Sequence, residues 1–191
     1  MIEEVEPGLW PAEESDGDGD GPGSVDIPVG TRRRRSVDTT LMPNARAIAL
    51  FWSKVVKSPT CWYWTGAISA PDGYGRFNFQ RDNRQRTVLA HRFSVELVHG
   101  PMDDGVVCEH KCNEPLCVRV HAKHLVQSTY SENVRFAIAL GRLSGHTLFD
   151  GSGRSRVDRS LAIREALRFG YNEEALMWAK TDPGPDQGTL F

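Results

Sequence analysis

No stretch of the 191-residue chain approaches the roughly 20 consecutive apolar residues of a membrane-spanning helix, so no membrane partner is expected. Met1 to Trp10 lack the basic-then-apolar layout of a secretory leader. Cysteine is scarce, four residues in all, and without a leader these favour metal ligation over disulfides and a cytosolic compartment. Basic residues are missing from residues 1–30, which hold nine acids and no Lys or Arg. Because the whole chain carries −2, the part after residue 30 carries +7. An acidic head on a basic body is the asymmetry of a nucleic-acid binder, although a solvated tail on a mildly basic domain has it too. At 39% hydrophobic, the chain can build one core but not pack from end to end.

What is present concentrates between Glu109 and Asn133, where the chain reads Glu-His-x-Cys-x4-Cys-x6-His-x8-Asn. Two sets of groups interleave there. Cys112, Cys117 and His124 are soft ligands at spacings suited to a tetrahedral zinc. Glu109, His110 and Asn133 are a carboxylate, an imidazole and an amide, the groups that a hard cation and an activated water need. A purely structural zinc knuckle has no use for the second set. The pattern points to a zinc-braced nuclease, with a catalytically inactive zinc module for nucleic-acid binding or packaging as the alternative.

The chain divides into four pieces. Residues 1–43 are rich in Gly, Asp, Glu and Pro and are expected to be disordered. Their Arg32–Arg35 run is either a phosphate contact or a solvated linker. Residues 44–142 form the globular domain. Ala45–Val56 has helical apolar spacing, with Asn44 as its N-cap. Cys61-Trp-Tyr-Trp-Thr-Gly opens a small antiparallel β region, in which Asp72-Gly73 marks a turn, Tyr74, Phe77 and Phe79 follow, and Thr87, Val88 and Leu89 form a second strand. Trp62 and Trp64 share one face of their segment, read as core. A helix is expected over Ala90–His99, ended by Gly100. Val106 and Val107 then enter a strand that delivers Glu109 and His110; Leu125 to Gln127 return beside it, and Ser131–Arg142 is helical. Strand, long loop, strand and helix make an α+β fold with a ββα-metal unit. Residues 143–181 read as a basic linker and helical hairpin, with helices over Arg159–Phe169 and Asn172–Lys180. Residues 182–191 form a flexible C-terminal peptide.

These segments resemble the HNH endonucleases, the His-Me finger nucleases of phages and mobile introns, and most closely those with the zinc arrangement of His-Cys box homing endonucleases. The resemblance rests on Cys61-Trp-Tyr-Trp-Thr-Gly, Gly73-Tyr74-Gly75-Arg76-Phe77, Ala90-His91-Arg92, Glu114-Pro115-Leu116-Cys117-Val118-Arg119-Val120, His124-Leu125 and Glu132-Asn133, in order over residues 45–142. It implies His124 as the third zinc ligand, since a His-Leu pair stands at that place in the family; His121 is the competitor. The fourth ligand is Cys61 or Cys108. Cys61 is preferred because it ties the β region to the loop, as in the His-Cys box arrangement. Four protein ligands would make this zinc structural.

His110 is then the general base, with Glu109 and Asn133 holding one Mg²⁺, or Mn²⁺ in its place. The family often has Asp where Glu109 stands. Arg76 or Arg92 is expected to stabilise the phosphate, because a planar guanidinium makes paired bonds to its oxygens. Together with Arg119 and Arg135 these form the expected contacts to double-stranded DNA. His91 is read as a packed residue, whereas Arg154, Arg156, Arg159, Arg164 and Arg168 either track a DNA backbone or belong to a solvated hairpin. Cleavage is expected to leave 5′-phosphate and 3′-hydroxyl ends. Gln187-Gly188-Thr189-Leu190-Phe191 is similar to the Gln-x-x-Leu-Phe peptide that docks on bacterial sliding clamps, which makes Gln187, Leu190 and Phe191 partner contacts. The chain would act as a monomer or homodimer in the cytoplasm of a bacterium or phage-infected host.

Overall fold

The computed structural model describes residues 36–37, 40–140 and 154–181. The expectations for Arg32–Arg35 and for Gln187, Leu190 and Phe191 lie outside these residues. The described residues form an α+β fold of five helices and three small sheets.

Asn44 caps α1 (Ala45–Trp52) by accepting from the Ala47 amide at 2.9 Å. The helix stops four residues short of the expected Val56. The Ser53 hydroxyl donates to the Leu50 carbonyl at 2.9 Å, and the β-branched pair that follows enters strand β2 (Val55–Lys57) instead. That strand pairs antiparallel with β3 (Trp62–Trp64), Val55 opposite Trp64 and Val56 opposite Tyr63.

Strand β3 separates two cores by its period of two. Trp64 faces a cluster with Phe51, Phe77, Phe79 and Phe93, and Trp62 packs at its margin. The Phe51 and Trp64 rings stack at 5.1 Å. Tyr63 points the other way, into a second cluster with Leu116, Cys117, Ile163, Leu167 and Leu176. The expected aromatic core is there, but the strand is buried on both faces.

A four-stranded sheet lies over the first core, in the order β1 (Ser36–Val37), β6 (Arg84–Leu89), β5 (Gly75–Arg81), β4 (Ala67–Ile68). The β5–β6 hairpin turns at Asp82-Asn83, both at positive φ (52° and 57°), the backbone that a two-residue type I′ turn demands. Packing begins before Asn44: β1 runs parallel to β6, and Leu41 is buried in the first core. Gly75 is fixed by close approach, since a Cβ there would lie 2.3 Å from Cδ1 of Trp64. The next helix, α2 (Ala90–His99), follows β6 directly and ends at Gly100, as its sequence predicts.

The ββα unit is β7 (Val106–His110), β8 (Leu125–Thr129) and α3 (Tyr130–Ala139). The two strands pair antiparallel from Val106 opposite Thr129 to His110 opposite Leu125. Thr129 and Glu132 form a capping box that starts α3 one residue before the expected Ser131. Between the strands the loop runs back along β3: the Trp64 amide donates to the Leu116 carbonyl and the Val118 amide to the Trp62 carbonyl, each at 2.8 Å. Last comes a hairpin of α4 (Arg156–Ala166) and α5 (Glu173–Thr181), with Asn172 capping α5 by accepting from the Ala175 amide at 2.9 Å. Ile163, Leu167, Leu176 and Ala179 dock one side of it into the second core, so it is not separate, while Phe169, Met177 and Trp178 stay exposed.

Candidate active site and metal centre

Tyr63 and Cys117 form an antiparallel bridge, and this pairing carries Cys61, two residues upstream, to the loop. The ligand atoms of Cys61, Cys112, Cys117 and His124 all lie within 4.8 Å of one another. Nδ1 of His124 is 3.6 Å from Sγ of Cys61 and 3.8 Å from Sγ of Cys117. A tetrahedral zinc with bonds of about 2.3 Å to sulfur has ligand-to-ligand edges of about 3.8 Å, so this Cys₃His group can bind zinc.

Crowding polarises the three thiols. Cys112 falls far below the ordinary thiol range because hydrogen bonds from Cys117, then Cys61, stabilise its thiolate. Cys117 is pushed far up by its bond to Cys112, and Cys61 up to about 12 for the same reason. Metal-free, the cluster keeps protons that a bound cation would expel. Cys108 stands apart, its thiol donating to Sδ of Met102 at 3.5 Å and raised to about 11 by burial. His121 is also outside the group, its Nδ1 accepting from the Lys123 amide at 3.1 Å.

The loop held by these ligands orients His110. Nε2 of His110 lies 3.1 Å from the Cys117 carbonyl oxygen. A carbonyl only accepts, so Nε2 carries the proton and Nδ1 keeps the lone pair of the neutral ring. Tyr74 stacks on the same ring at 5.9 Å and 27°, and His91 meets it edge-on at 4.7 Å. Burial lowers the pKa of His110 and favours the neutral base. The pKa of His91 lies well below the ordinary value, first through burial, then through the charges of His110, Arg92 and Arg76. Both arginines expected at the phosphate therefore lie close enough to act on His91.

Glu109 and His110 leave β7 on opposite faces. Glu109 is 2% exposed, and its Oε1 accepts from Nζ of Lys111 at 2.7 Å. That ammonium also sits 4.1 Å from the Phe136 ring centre on α3. Asn133 is half-buried in the first turn of α3, three residues before Phe136. His110 sits with Tyr74 and His91. Among the described residues, the Cys₃His cluster is the one group of three or more His, Cys, Asp or Glu placed to hold a metal.

The expected DNA contacts divide. Arg76 and Arg92 are each 41% exposed, with loose pairs to Asp72 at 3.6 Å and Glu96 at 3.5 Å, so both have donors to spare. Arg119 commits one nitrogen to the protein itself, its Nη1 donating to the carbonyls of Pro59 at 3.1 Å and Thr60 at 2.7 Å. Arg135 stands on the exposed side of α3. In the hairpin, Arg159 is not free to track DNA: it makes two bonds to the buried Glu114. Arg154 donates to the Ala179 carbonyl at 2.8 Å.

Sequence reasoning gave no role to Lys111 and Tyr74, and read His91 as packing only. Lys111 was findable, because residues two apart on a strand share a face and a Lys beside a buried Glu is its natural counter-ion. The meeting of Tyr74, His91 and His110 joins three elements and leaves no local signal.

The HNH endonuclease family model matches residues 88–135. Protein 7.7 of Escherichia phage T7 is 33% identical over 82 residues, 43% of this chain. The match spans 58% of that phage protein's length. No solved structure matches the chain. Residues 88–135, which hold α2, both strands of the ββα unit, the start of α3 and three of the four cluster ligands, thus carry the signature of the HNH endonucleases.

Proposed function

We propose that this protein is a metal-dependent DNA endonuclease, with a structural zinc on Cys61, Cys112, Cys117 and His124 and a catalytic Mg²⁺ near Glu109 and Asn133. The observation that carries the reading is the bond between Nε2 of His110 and the Cys117 carbonyl, which leaves Nδ1 to take a proton. In this reading His110 Nδ1 removes a proton from a water facing the scissile phosphate. The resulting imidazolium keeps its Nε2–H on the carbonyl, which accepts equally well from the charged ring. Arg76 and Arg92 donate to phosphate oxygens and hold the strand in line. A bound Mg²⁺ would supply Lewis-acid neutralisation of the phosphate and the departing 3′ oxygen. Glu109 and Asn133 can offer it oxygen ligands once Lys111 yields its place, and Mn²⁺ suits the same donors. Arg135, and less so Arg119, would add contacts to the DNA backbone. The phage relative suits action in the cytoplasm of an infected cell. Mg²⁺-dependent nicking of supercoiled plasmid, abolished by His110→Ala, is the test.

A binding or packaging module without catalysis is the second reading, and the closed Glu109–Lys111 pair favours it. Absence of nicking with retained DNA binding would decide for it. Separately, Gln187, Leu190 and Phe191 are proposed to dock on a bacterial sliding clamp. Deleting Leu190 and Phe191 should weaken clamp binding and leave nicking unchanged; no clamp binding by the full chain would end that idea.

A further inference from the structure

We propose that the α4–α5 hairpin is the counter-charge of the zinc centre, so that hairpin docking and metal retention stabilise each other. This rests on the zinc reading of the Cys₃His cluster. Three thiolates, a neutral imidazole and a divalent zinc sum to one negative charge. A second negative charge is buried beside them. Glu114 lies in the loop between Cys112 and Cys117, with its side chain only 4% exposed. Such a pair of charges needs cations.

The hairpin supplies two. Arg159 of α4 clamps Glu114 with both nitrogens of its fork, Nη1 at 3.2 Å from Oε1 and Nη2 at 3.0 Å from Oε2. Lys180 of α5 stands 3.9 Å from Oε2 of Glu114. Its ammonium is also 5.1 Å from the ring centre of Tyr63, the residue bridged to Cys117. Both cations face Glu114, and by count their two positive charges balance the carboxylate together with the zinc–thiolate charge beside it. The cores agree, since Ile163, Leu167, Leu176 and Ala179 pack in one cluster with Cys61, Cys112 and Cys117. Glu114 also shapes the loop: its carbonyl accepts from the Cys117 amide at 3.0 Å. Arg159 and Lys180 are thus positioning residues, acting on the ligands and, through Cys117, on the carbonyl that holds His110.

The test times zinc release from the full-length, zinc-loaded protein into an excess of chromophoric chelator. Arg159→Gln and Lys180→Gln should each release zinc at least about tenfold faster than wild type, the scale set by losing a partner outside the ligand shell. Lys180→Arg should keep the wild-type rate. Arg168→Gln, the same charge change at a 63%-exposed side chain, should also keep it. Because Arg159→Gln can undock the hairpin outright, the partly exposed Lys180 is the decisive position, read with its thermal midpoint. Stripping zinc should in turn speed tryptic cleavage within residues 154–181. Stoichiometric zinc that leaves the Lys180→Gln and Arg159→Gln proteins at the wild-type rate overturns this inference and leaves the zinc reading standing. A protein that neither carries nor takes up zinc overturns both.

Discussion

Nε2 of His110 sits 3.1 Å from the main-chain carbonyl of Cys117, a residue whose own thiol belongs to the metal cluster. A member of the cluster and the group that orients His110 are therefore one residue, and the cluster's geometry passes to the imidazole through the bonds of Cys117 and one hydrogen bond. The neutral ring should be the Nε2–H tautomer. Nitrogen-15 shifts of the His110 ring check this directly: Nδ1 should resonate as unprotonated and Nε2 as protonated, and the reverse pattern would contradict the assignment.

Metal content separates the alternatives left by spacing. Cys61→Ser and His124→Ala should each lower bound zinc below one per chain and lower the thermal midpoint, because a closed four-ligand site contributes folding energy. Cys108→Ser and His121→Ala should leave zinc stoichiometric, since neither side chain reaches the cluster. Metal analysis of the purified variants decides.

Stripping the ion with a strong chelator should do more than remove a charge. Without it Cys61 and Cys117 keep their protons, and the loop is left with only its main-chain bonds to β3. Rebinding of zinc in weak buffer should release protons, with more than one per ion expected from the raised Cys61 and Cys117 thiols. A pH-indicator titration measures the count.

Glu109→Gln should raise the Mg²⁺ concentration for half-maximal nicking by about tenfold and leave zinc content unchanged. The variant removes a charged oxygen ligand and frees Lys111 from its 2.7 Å bond. A metal titration of plasmid nicking reads the shift; an unchanged midpoint would remove Glu109 from the cation site.

Gly75→Ala tests the frame that carries the site. Its methyl would meet the Trp64 indole at 2.3 Å and Cβ of Ala90 at 3.0 Å, both in the filled first core. Overpacking of this kind costs about 1–3 kcal/mol. Denaturant unfolding should show it as a lowered midpoint with an unchanged slope.

The parts of this fold that were legible in the sequence are those written in local chemistry. Asn44, Gly100 and Asn172 announced helix ends, and Val106 to His110 and Leu125 to Gln127 announced the strand pair. Val55 and Val56 show the limit, because helical spacing and β-branching compete there and pairing with Trp64 and Tyr63 decides. Cys61 is 51 residues before Cys112 in the chain, and it joins the cluster through the Tyr63–Cys117 bridge, which no spacing rule encodes. Arg159 was left open between DNA and solvent for a different reason: it is one of several arginines between Arg154 and Arg168, whereas its partner Glu114 is 45 residues away.

The central claim is that His110 is a general base in a DNA-cleaving site. Nicking of supercoiled plasmid in Mg²⁺ by wild type and His110→Ala, with DNA affinity measured on the same samples, tests it most directly. The account predicts a rate loss of about 10²–10⁴-fold or more for the variant, with zinc content, thermal midpoint and DNA affinity retained. Undiminished nicking by His110→Ala, or a loss of DNA binding equal to the loss of cleavage, would contradict it.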